Sequence, residues 1–211
     1  MGTKERRERE RLDTRERILA AAREMFVEQG YEAVTMRAIA NRIEYTPTAL
    51  YHHFPSKQAL VTELCREDFE SLAKLFMVRG AAQDPIDRLL AVGRAYLRFA
   101  MEYPSHYRFM FMTVLPELEY TQEYLAEAKL SPEHNAYIFL RNAVQAAIDS
   151  GRMRPEFGDA DQVAQIMWGQ IHGLVSLRMA KPHDHWVPWK DLTKTAELAM
   201  QAHFEGMLRK P

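Results

Sequence analysis

The chain has 211 residues, 47% hydrophobic and 27% charged, a composition typical of a folded globular protein. No apolar stretch approaches the roughly 20 residues that a transmembrane helix needs. The charged start MGTKERRERERLDTRER lacks the apolar region of a secretory signal, and the single Cys65 excludes an internal disulfide. We therefore expect a cytoplasmic protein that does not associate with a membrane.

The net charge of −1 gives no general indication of a nucleic-acid partner. Residues 1–57 contain 11 Lys and Arg against 9 Asp and Glu, whereas residues 58–211 contain 17 against 20. This weak asymmetry permits a basic face in the N-terminal part without requiring one. Local motifs therefore have to decide whether the chain binds DNA.

Apolar residues recur at three- and four-residue steps along most of the chain, so the pattern predicts an all-α fold. The first helix is expected to follow an N-cap at Asp13 and to end at Gly30, after an Arg- and Glu-rich arm over residues 1–12. Charge pairs one turn apart favour a frayed helix start for this arm, although an arm that reaches DNA is the alternative. Thr35 is the expected N-cap of a short second helix.

Thr46 and Pro47 predict the N-cap and first residue of a third helix, because proline lacks only a donor that would be unpaired there. Within this helix Leu50 and Phe54 lie one turn apart and are expected to face a small core. Ser56 predicts the N-cap of a long fourth helix.

The remaining chain predicts further helices, with a domain boundary between residues 57 and 58. We expect a small N-terminal helical domain at 1–57 and a larger helical domain at 58–211. The first of these later helices is expected to end at Tyr103, and a short helix is expected over HYRFMF. A long helix is expected to begin at Ser131-Pro132, another to be capped by Asp159, and a final helix to span roughly 189–209.

The two short helices over 36–43 and 47–54 follow a longer one, which is the order of a helix-turn-helix. In such a unit the second helix enters the DNA major groove, where short polar side chains near its N-terminus read base edges. The spacing alone leaves open a pair of ordinary surface helices in an α-bundle.

The run TRERILAAAREMFVEQGYEAVTMRAIANRIEYTPTALYHHFPSKQAL, residues 14–60, closely resembles the N-terminal DNA-binding domain of TetR-family transcriptional regulators. The resemblance rests on the Ala-x-x-x-Phe of the first helix, on Gly30-Tyr31, on TMRAIA, and on LYHHF followed by a lysine. Glu44 and Thr48 occupy positions that are often glycine in the family. Glu44 is therefore expected to need a left-handed or adjusted backbone.

The resemblance implies one set of residues that hold the DNA backbone. Thr35 and Thr46 would cap their helices while touching phosphates. The other implied phosphate contacts are Tyr51, His53 and Lys57. Each has a plain structural alternative, since Tyr51 can pack and His53 can be solvated.

The resemblance also implies a set of residues that approach the bases. Thr48 and His52 would read base edges, and Arg37 would reach a base edge or the backbone. Pro47 and Ala49 would offer apolar contacts to a thymine methyl group. Solvation is the alternative for His52.

The segment MWGQIHGLVSLRMA, residues 167–180, is apolar on nearly every face and predicts a helix covered by its own domain and by a partner. We predict a two-fold homodimer through the last two helices, which fits a palindromic operator in double-stranded DNA. The expected interface residues are Gly169, Gly173, Ser176, Ala180, Ala196, Met200, His203 and Met207.

Trp168, His172 and Gly173, with YPSHYRFMF at 103–111, also resemble the C-terminal domain of a TetR subgroup named for its Trp-His-Gly signature. This resemblance implies a helical domain that binds an unidentified apolar or aromatic inducer. The residues expected to line its cavity are Tyr96, Phe99, Tyr103, Tyr107, Met110, Phe111, Tyr137, Trp168 and His172. Ordinary core packing is the alternative for each of them.

The sequence offers little for an enzyme or a metal site. His183-Asp184-His185 lacks a third patterned ligand, and no nucleophile elbow, glycine-rich phosphate loop or HExxH motif occurs. We predict neither a cofactor nor a metal. The expected function is a ligand-responsive one-component transcriptional regulator that represses. A constitutive DNA-binding factor without an inducer is the first alternative, and a helical enzyme that processes a small molecule is the second.

Overall fold

The computed structural model describes residues 3–209, which form an all-α fold in agreement with the prediction. Among these residues no helix combines the length and the apolar character needed to cross a bilayer. The helices are α1 (Thr3–Gln29), α2 (Met36–Arg42), α3 (Pro47–His53), α4 (Lys57–Arg79), α5 (Pro85–Glu102), α6 (Pro104–Met112), α7 (Gln122–Ala128), α8 (Ala136–Asp149), a short 3₁₀ helix (Pro155–Phe157), α9 (Ala160–Ala180) and α10 (Leu192–Met207).

Side-chain caps determine where several of these helices begin. The hydroxyl of Thr35 accepts a hydrogen bond from the amide of Ala38, as predicted for the start of α2. The predicted caps Ser56 and Asp159 are confirmed in the same way at the starts of α4 and α9. Each cap satisfies an amide that has no partner within its helix.

The start of α1 differs from the prediction, because the helix begins at Thr3 and runs through Asp13 without a break. Ion pairs one turn apart join Arg6 to Glu10 and Arg11 to Glu8. The interpretation of the arm as a helix start is therefore confirmed for residues 3–12. The first two residues of the arm lie outside the described residues.

Two later helices also begin elsewhere than predicted. α8 begins at Ala136 rather than at Ser131-Pro132, because the Asn135 side chain accepts hydrogen bonds from two amides of the first turn. α10 begins at Leu192, where Asp191 caps the Lys194 amide. In both cases a cap closer to the apolar stripe determines the start.

The helices form two compact units. The first contains the chain up to Asp68 together with Pro104–Gln122, and the second contains Phe69–Tyr103 together with the chain from Glu123 onward. The predicted boundary at residue 57 therefore falls inside the first unit. The first half of α4 belongs to that unit, and so does α6, which packs on α1 through Phe26 and Phe109 with ring centroids 6.1 Å apart.

Each unit has its own apolar core. Fully buried side chains in the first unit come from α1, α2, α3, α4 and α6, and include Ile18, Phe26, Ile39, Leu50, Leu64 and Phe109. Those in the second unit include Leu89 of α5, Val144 of α8, Val175 of α9 and Ala196 of α10. Burying one such side chain contributes about 1.5–3 kcal/mol, so each core supplies most of the driving force for its unit.

Candidate nucleic-acid interface

Helix α3 has one buried side and one exposed polar side. Leu50 and Phe54 are 0% and 4% exposed, so the predicted core side is confirmed. Thr48 and His52 are exposed, and Tyr51 is 51% exposed. The helix therefore rests on the unit through its apolar side and presents hydroxyl, phenol and imidazole groups to solvent.

The N-terminus of α3 has the predicted cap. The Thr46 hydroxyl accepts a hydrogen bond from the Ala49 amide at 3.2 Å, and Pro47 occupies the first helical position. Thr46 is exposed, whereas Pro47 and Ala49 are half-buried. The exposed capping group thus lies at the same end of the helix as Thr48.

The turn between α2 and α3 depends on a strained residue and on α1. Glu44 has φ of 61°, the left-handed conformation expected from its position. The Arg17 guanidinium donates to the Ile43 carbonyl at 3.1 Å and lies over the Tyr45 ring at 5.3 Å. Arg17 therefore holds both ends of a turn that lies 26 residues later in the chain.

The Lys57 ammonium group is already engaged within the unit. It donates to the carbonyl groups of Tyr31 and Val34, both at 2.9 Å, and lies 4.0 Å from the centre of the Tyr31 ring. An ammonium carries three N–H donors, so one remains after these two bonds. Lys57 thus connects the start of α4 to the loop before α2. One of its N–H groups remains for a further hydrogen bond.

The other predicted DNA-binding residues differ in exposure. Thr35 and Arg37 are exposed at the start of α2. His53 is half-buried, and burial lowers its pKa from the ordinary imidazole value, with nearby Arg11 and Arg15 acting in the same direction. The shift favours the neutral imidazole, which weakens the argument for a charge-based phosphate contact by His53.

The support beneath α3 includes an ion-pair cluster that the sequence analysis did not identify. Arg15 of α1 donates to Glu63 and Glu67 of α4, and its guanidinium lies 5.4 Å from the centre of the Phe54 ring. The partners lie 48 and 52 residues apart in the sequence. No local pattern links residues at such separations, so sequence periodicity carried no signal for this cluster.

Three of the predicted inducer-binding residues meet in the second unit. The Trp168 indole donates to the Tyr96 hydroxyl at 3.1 Å, and that hydroxyl lies 3.0 Å from Nδ1 of His172. Tyr96 is only 3% exposed, and burial lowers the pKa of His172. A neutral His172 that accepts a hydrogen bond from the Tyr96 hydroxyl at Nδ1 completes a chain of hydrogen bonds between α5 and α9.

The remaining predicted inducer-binding residues do not form one group. Phe99 is buried and lies 5.6 Å from the Tyr103 ring, which is 48% exposed. Tyr137 donates to Asp161 at 2.8 Å, and its ring centroid lies 6.5 Å from that of Trp168, so Tyr137 adjoins the cluster of Tyr96, Trp168 and His172. The others belong to the first unit, where Tyr107 is fully buried and packs on Phe111: they are Tyr107, Met110 and Phe111.

The predicted dimer residues fall into two groups. On α9 Gly169 and Ala180 are exposed, while Gly173 and Ser176 are partly exposed. His203 on α10 is also partly exposed, and burial lowers its pKa.

Three predicted interface residues of α10 are buried inside the protomer. Ala196, Met200 and Met207 are 0%, 6% and 2% exposed. Met200 packs against Gly93 of α5, so this side of α10 faces its own unit. Placing these three side chains against a partner was therefore wrong, because the apolar stripe of α10 covers α5.

No group of three residues suitable for a metal ion occurs within residues 3–209. His183 and His185 are exposed in the connection between α9 and α10.

Comparison with known proteins matches both parts of the chain. Residues 18–64 match the family described as "Bacterial regulatory proteins, tetR family", and residues 89–203 match the "Tetracyclin repressor-like, C-terminal domain". The second description is general and does not test the predicted Trp-His-Gly subgroup, which stays a prediction.

Individual relatives agree with this family. The HTH-type transcriptional regulator UidR of Escherichia coli is 47% identical over 57 residues, which are 27% of this chain and 29% of UidR. The chain therefore matches less than a third of that relative's length.

Solved structures share the fold over nearly the whole chain. A TetR family transcription regulator from Marinobacter aquaeolei has a TM-score of 0.74 at 20% identity, covering 96% of this chain and 100% of that one. SmeT, the repressor of the Stenotrophomonas maltophilia multidrug efflux pump SmeDEF, has a TM-score of 0.65 at 20% identity, covering 93% and 91%. Because one matching model covers the helix-turn-helix and the other spans more than half of the chain, the protein belongs to the TetR family of transcriptional regulators.

Proposed function

We propose that the protein is a homodimeric repressor that binds a palindromic operator and is released from it by a small-molecule inducer. The observation that carries the DNA-binding part is the two-sided α3 helix. Its buried Leu50 and Phe54 fix the orientation of the helix, while Thr48 and His52 remain exposed near a capped N-terminus. This arrangement suits a helix that lies in the major groove.

Positions around α3 supply contacts to the DNA backbone. Thr35 and Arg37 are exposed at the start of α2, and Tyr51 is exposed on α3. Phosphate contacts fix the register of a protein on the duplex, whereas base contacts determine the sequence. We assign Thr48 and His52 to base reading and the surrounding donors to the backbone.

The dimer part of the proposal rests on α9. Ile166 and Leu177 are 40% and 57% exposed and share one side of the helix with Gly169 and Gly173. A Cβ atom added at either glycine would meet no atom within 4 Å in the protomer. An exposed apolar side with glycines in its middle suits close packing against a second copy of α9.

These open glycines allow a clean test of the dimer. A Cβ atom at Gly173 meets nothing within 4 Å in the protomer, and Gly173→Leu removes a residue that is unfavourable in helices, so the protomer should become slightly more stable, by about 0.5–1 kcal/mol. If α9 meets a partner, the same change should shift the protein to monomer in sedimentation at micromolar concentration. Lys74→Leu, at an exposed position of α4, controls for the added apolar volume. A Gly173→Leu protein that remains as dimeric as the control would refute this interface.

The inducer part rests on the Tyr96, Trp168 and His172 cluster, where the polar groups of a buried tyrosine, a half-buried histidine and a partly exposed tryptophan converge. Repression is supported by the description of SmeT as a repressor. Release requires linkage, so an inducer that lowers operator affinity by a given factor must itself bind the operator complex more weakly by that factor. Helix α4 contributes residues to both units and is the proposed path of this coupling.

The deciding experiment begins with selection of an operator from random DNA by the purified protein. A thermal-shift screen of small apolar and aromatic compounds then supplies ligands for titration against the labelled operator. We expect at least one ligand to weaken operator binding, and the effect to be reduced in Tyr96→Phe. A protein that selects an operator but whose ligands all leave operator affinity unchanged is a constitutive DNA-binding factor. Failure to prefer any duplex over scrambled DNA would remove the whole proposal.

A further inference from the structure

Two hydrogen-bond donors lie buried and unpaired where α9 passes into α10. Arg178 is in the last turn of α9, and Trp189 is in the connection that follows. The Arg178 guanidinium carbon is 5.4 Å from the centre of the Trp189 ring. Nη1 of Arg178 and Nε1 of Trp189 are both buried and have no hydrogen-bond partner among the described residues.

The two groups share one chemical need. Guanidinium and indole nitrogens are donors only, so neither can satisfy the other. A buried donor without an acceptor costs about 1–3 kcal/mol, and a charged donor costs more. Each of the two neighbouring side chains therefore has a buried donor that lacks an acceptor.

Nearby acidic side chains are engaged elsewhere. Residues 178–194 contain four Lys and Arg but only two acidic residues, Asp184 and Asp191. Asp184 lies 3.8 Å from Lys181, and Asp191 caps α10 by accepting from the Lys194 amide at 2.8 Å. Asp184 and Asp191 therefore both have contacts other than Arg178 and Trp189.

We propose that Arg178 and Trp189 bind the carboxylate group of a small organic acid. A carboxylate is planar and offers one oxygen to the guanidinium and the other to the indole N–H. Its single charge matches the one cation of the pair, whereas a phosphate dianion would need a second cation at the site. This site uses residues different from Tyr96, Trp168 and His172, so it is independent of the inducer proposed above.

Binding would join the last turn of α9 to the connection that precedes α10. A ligand that binds only the folded chain raises its stability by mass action. Acetate should therefore raise the unfolding temperature in proportion to the logarithm of its concentration once the site is filled.

The test follows the indole N–H signals of the full-length ¹⁵N-labelled protein during titration with acetate at constant ionic strength. The chain has three tryptophans, and Trp189→Phe identifies the signal of Trp189. We expect a saturable shift of that signal, while those of Trp168 and Trp186 change little. Arg178→Gln should weaken acetate binding at least tenfold, whereas Arg98→Gln, at an exposed position of α5, should not.

Further titrations distinguish binding of a carboxylate from binding of an uncharged ester, phosphate or water. Methyl acetate, which is uncharged, should leave the Trp189 signal in place. A Trp189 signal insensitive to acetate would mean that the donors are hydrated and would overturn the proposal. Equal acetate binding in Arg178→Gln would do the same, and so would tighter binding of phosphate than of acetate. The Trp168 signal reports in each variant whether the fold is retained, because its indole donates to the Tyr96 hydroxyl of a neighbouring helix.

Discussion

Arg23 of α1 and Asp68 of α4 form a two-pronged ion pair in the interior of the first unit, with N–O distances of 2.9 and 2.7 Å. Both residues are buried, at 8% and 1% exposure. Nδ1 of His106 on α6 lies 3.0 Å from the same carboxylate. One buried carboxylate therefore joins three helices of the unit that presents α3.

We expect Arg23→Met to destabilise the protein by about 3–5 kcal/mol, because it leaves the Asp68 carboxylate buried without its main partner. The free energy of unfolding from urea titration measures this effect. The double variant Arg23→Met with Asp68→Leu should be more stable than the single variant, since it removes the unpaired charge as well. A double variant whose destabilisation equals the sum of those of the two single variants would show no coupling between the two side chains and would contradict this expectation.

His52 and Lys57 should affect DNA binding in different ways. His52→Ala removes an exposed side chain of α3, so we expect it to change the preference among operator variants by about 1–3 kcal/mol at one base position. Lys57→Ala removes the ammonium that holds the Tyr31 and Val34 carbonyls and should weaken binding to all sequences. Fluorescence anisotropy on a panel of operator variants measures both.

Matched controls keep this comparison clear. His185→Ala, at an exposed position between α9 and α10, should leave both affinity and preference unchanged. The proposed division of roles fails if His52→Ala and Lys57→Ala lower affinity by the same factor on every operator.

The left-handed backbone of Glu44 is unfavourable for a residue with a Cβ atom, so replacement by glycine should stabilise the protein. A residue with a Cβ atom in this conformation costs roughly 1–2 kcal/mol, part of which glycine loses again in chain entropy. We expect Glu44→Gly to raise the free energy of unfolding by about 0.5–1 kcal/mol and Glu44→Val to lower it. Thermal unfolding measures both, and a stabilising Glu44→Val would contradict the assignment of strain.

The half-buried histidines His53, His172 and His203 should make the free energy of unfolding depend on pH. Burial lowers the pKa of His172 in the folded protein, so the unfolded chain takes up a proton first as the pH falls. The free energy of unfolding should therefore decrease below about pH 6.5, the ordinary imidazole pKa, until the folded-state pKa is reached.

His172→Gln tests how much His172 contributes to the pH dependence of the free energy of unfolding, because glutamine keeps an acceptor for Tyr96 and does not titrate. Urea titrations between pH 7.5 and roughly pH 5 should show a shallower decrease in the variant than in the unmodified protein. His53 and His203, whose pKa values are also lowered by burial, supply the slope that remains. Parallel curves for variant and parent would contradict a neutral His172.

The Cys65 thiol should be unreactive in the folded protein. It is 1% exposed, and burial together with the nearby Asp68 charge raises its pKa to about 12. Alkylation by iodoacetamide at pH 8 should therefore occur only in unfolded molecules. Its rate should increase with urea concentration as the unfolded fraction increases. Fast labelling of the native protein would instead make Cys65 a candidate redox sensor.

The sequence by itself determined the local features of this protein. The caps at Thr35 and Thr46 follow from interactions within a few residues, and the buried positions of Leu50 and Phe54 follow from their one-turn spacing, whereas the left-handed Glu44 was expected from the resemblance to TetR-family sequences. Such interactions depend on spacing along the chain, which periodicity and capping patterns express directly. These patterns predicted the two short helices, and the family resemblance identified them as a helix-turn-helix.

Only the tertiary structure decided which apolar surfaces meet. The segment HYRFMF predicted a helix, but its packing on Phe26 placed α6 in the first unit rather than with the other inducer-binding candidates. Met200 was assigned to a partner and instead covers Gly93, while Arg178 and Trp189 became neighbours through the path of a connection. A helical stripe shows that a side is buried but not against what, because packing partners are chosen by shape and by the fold as a whole.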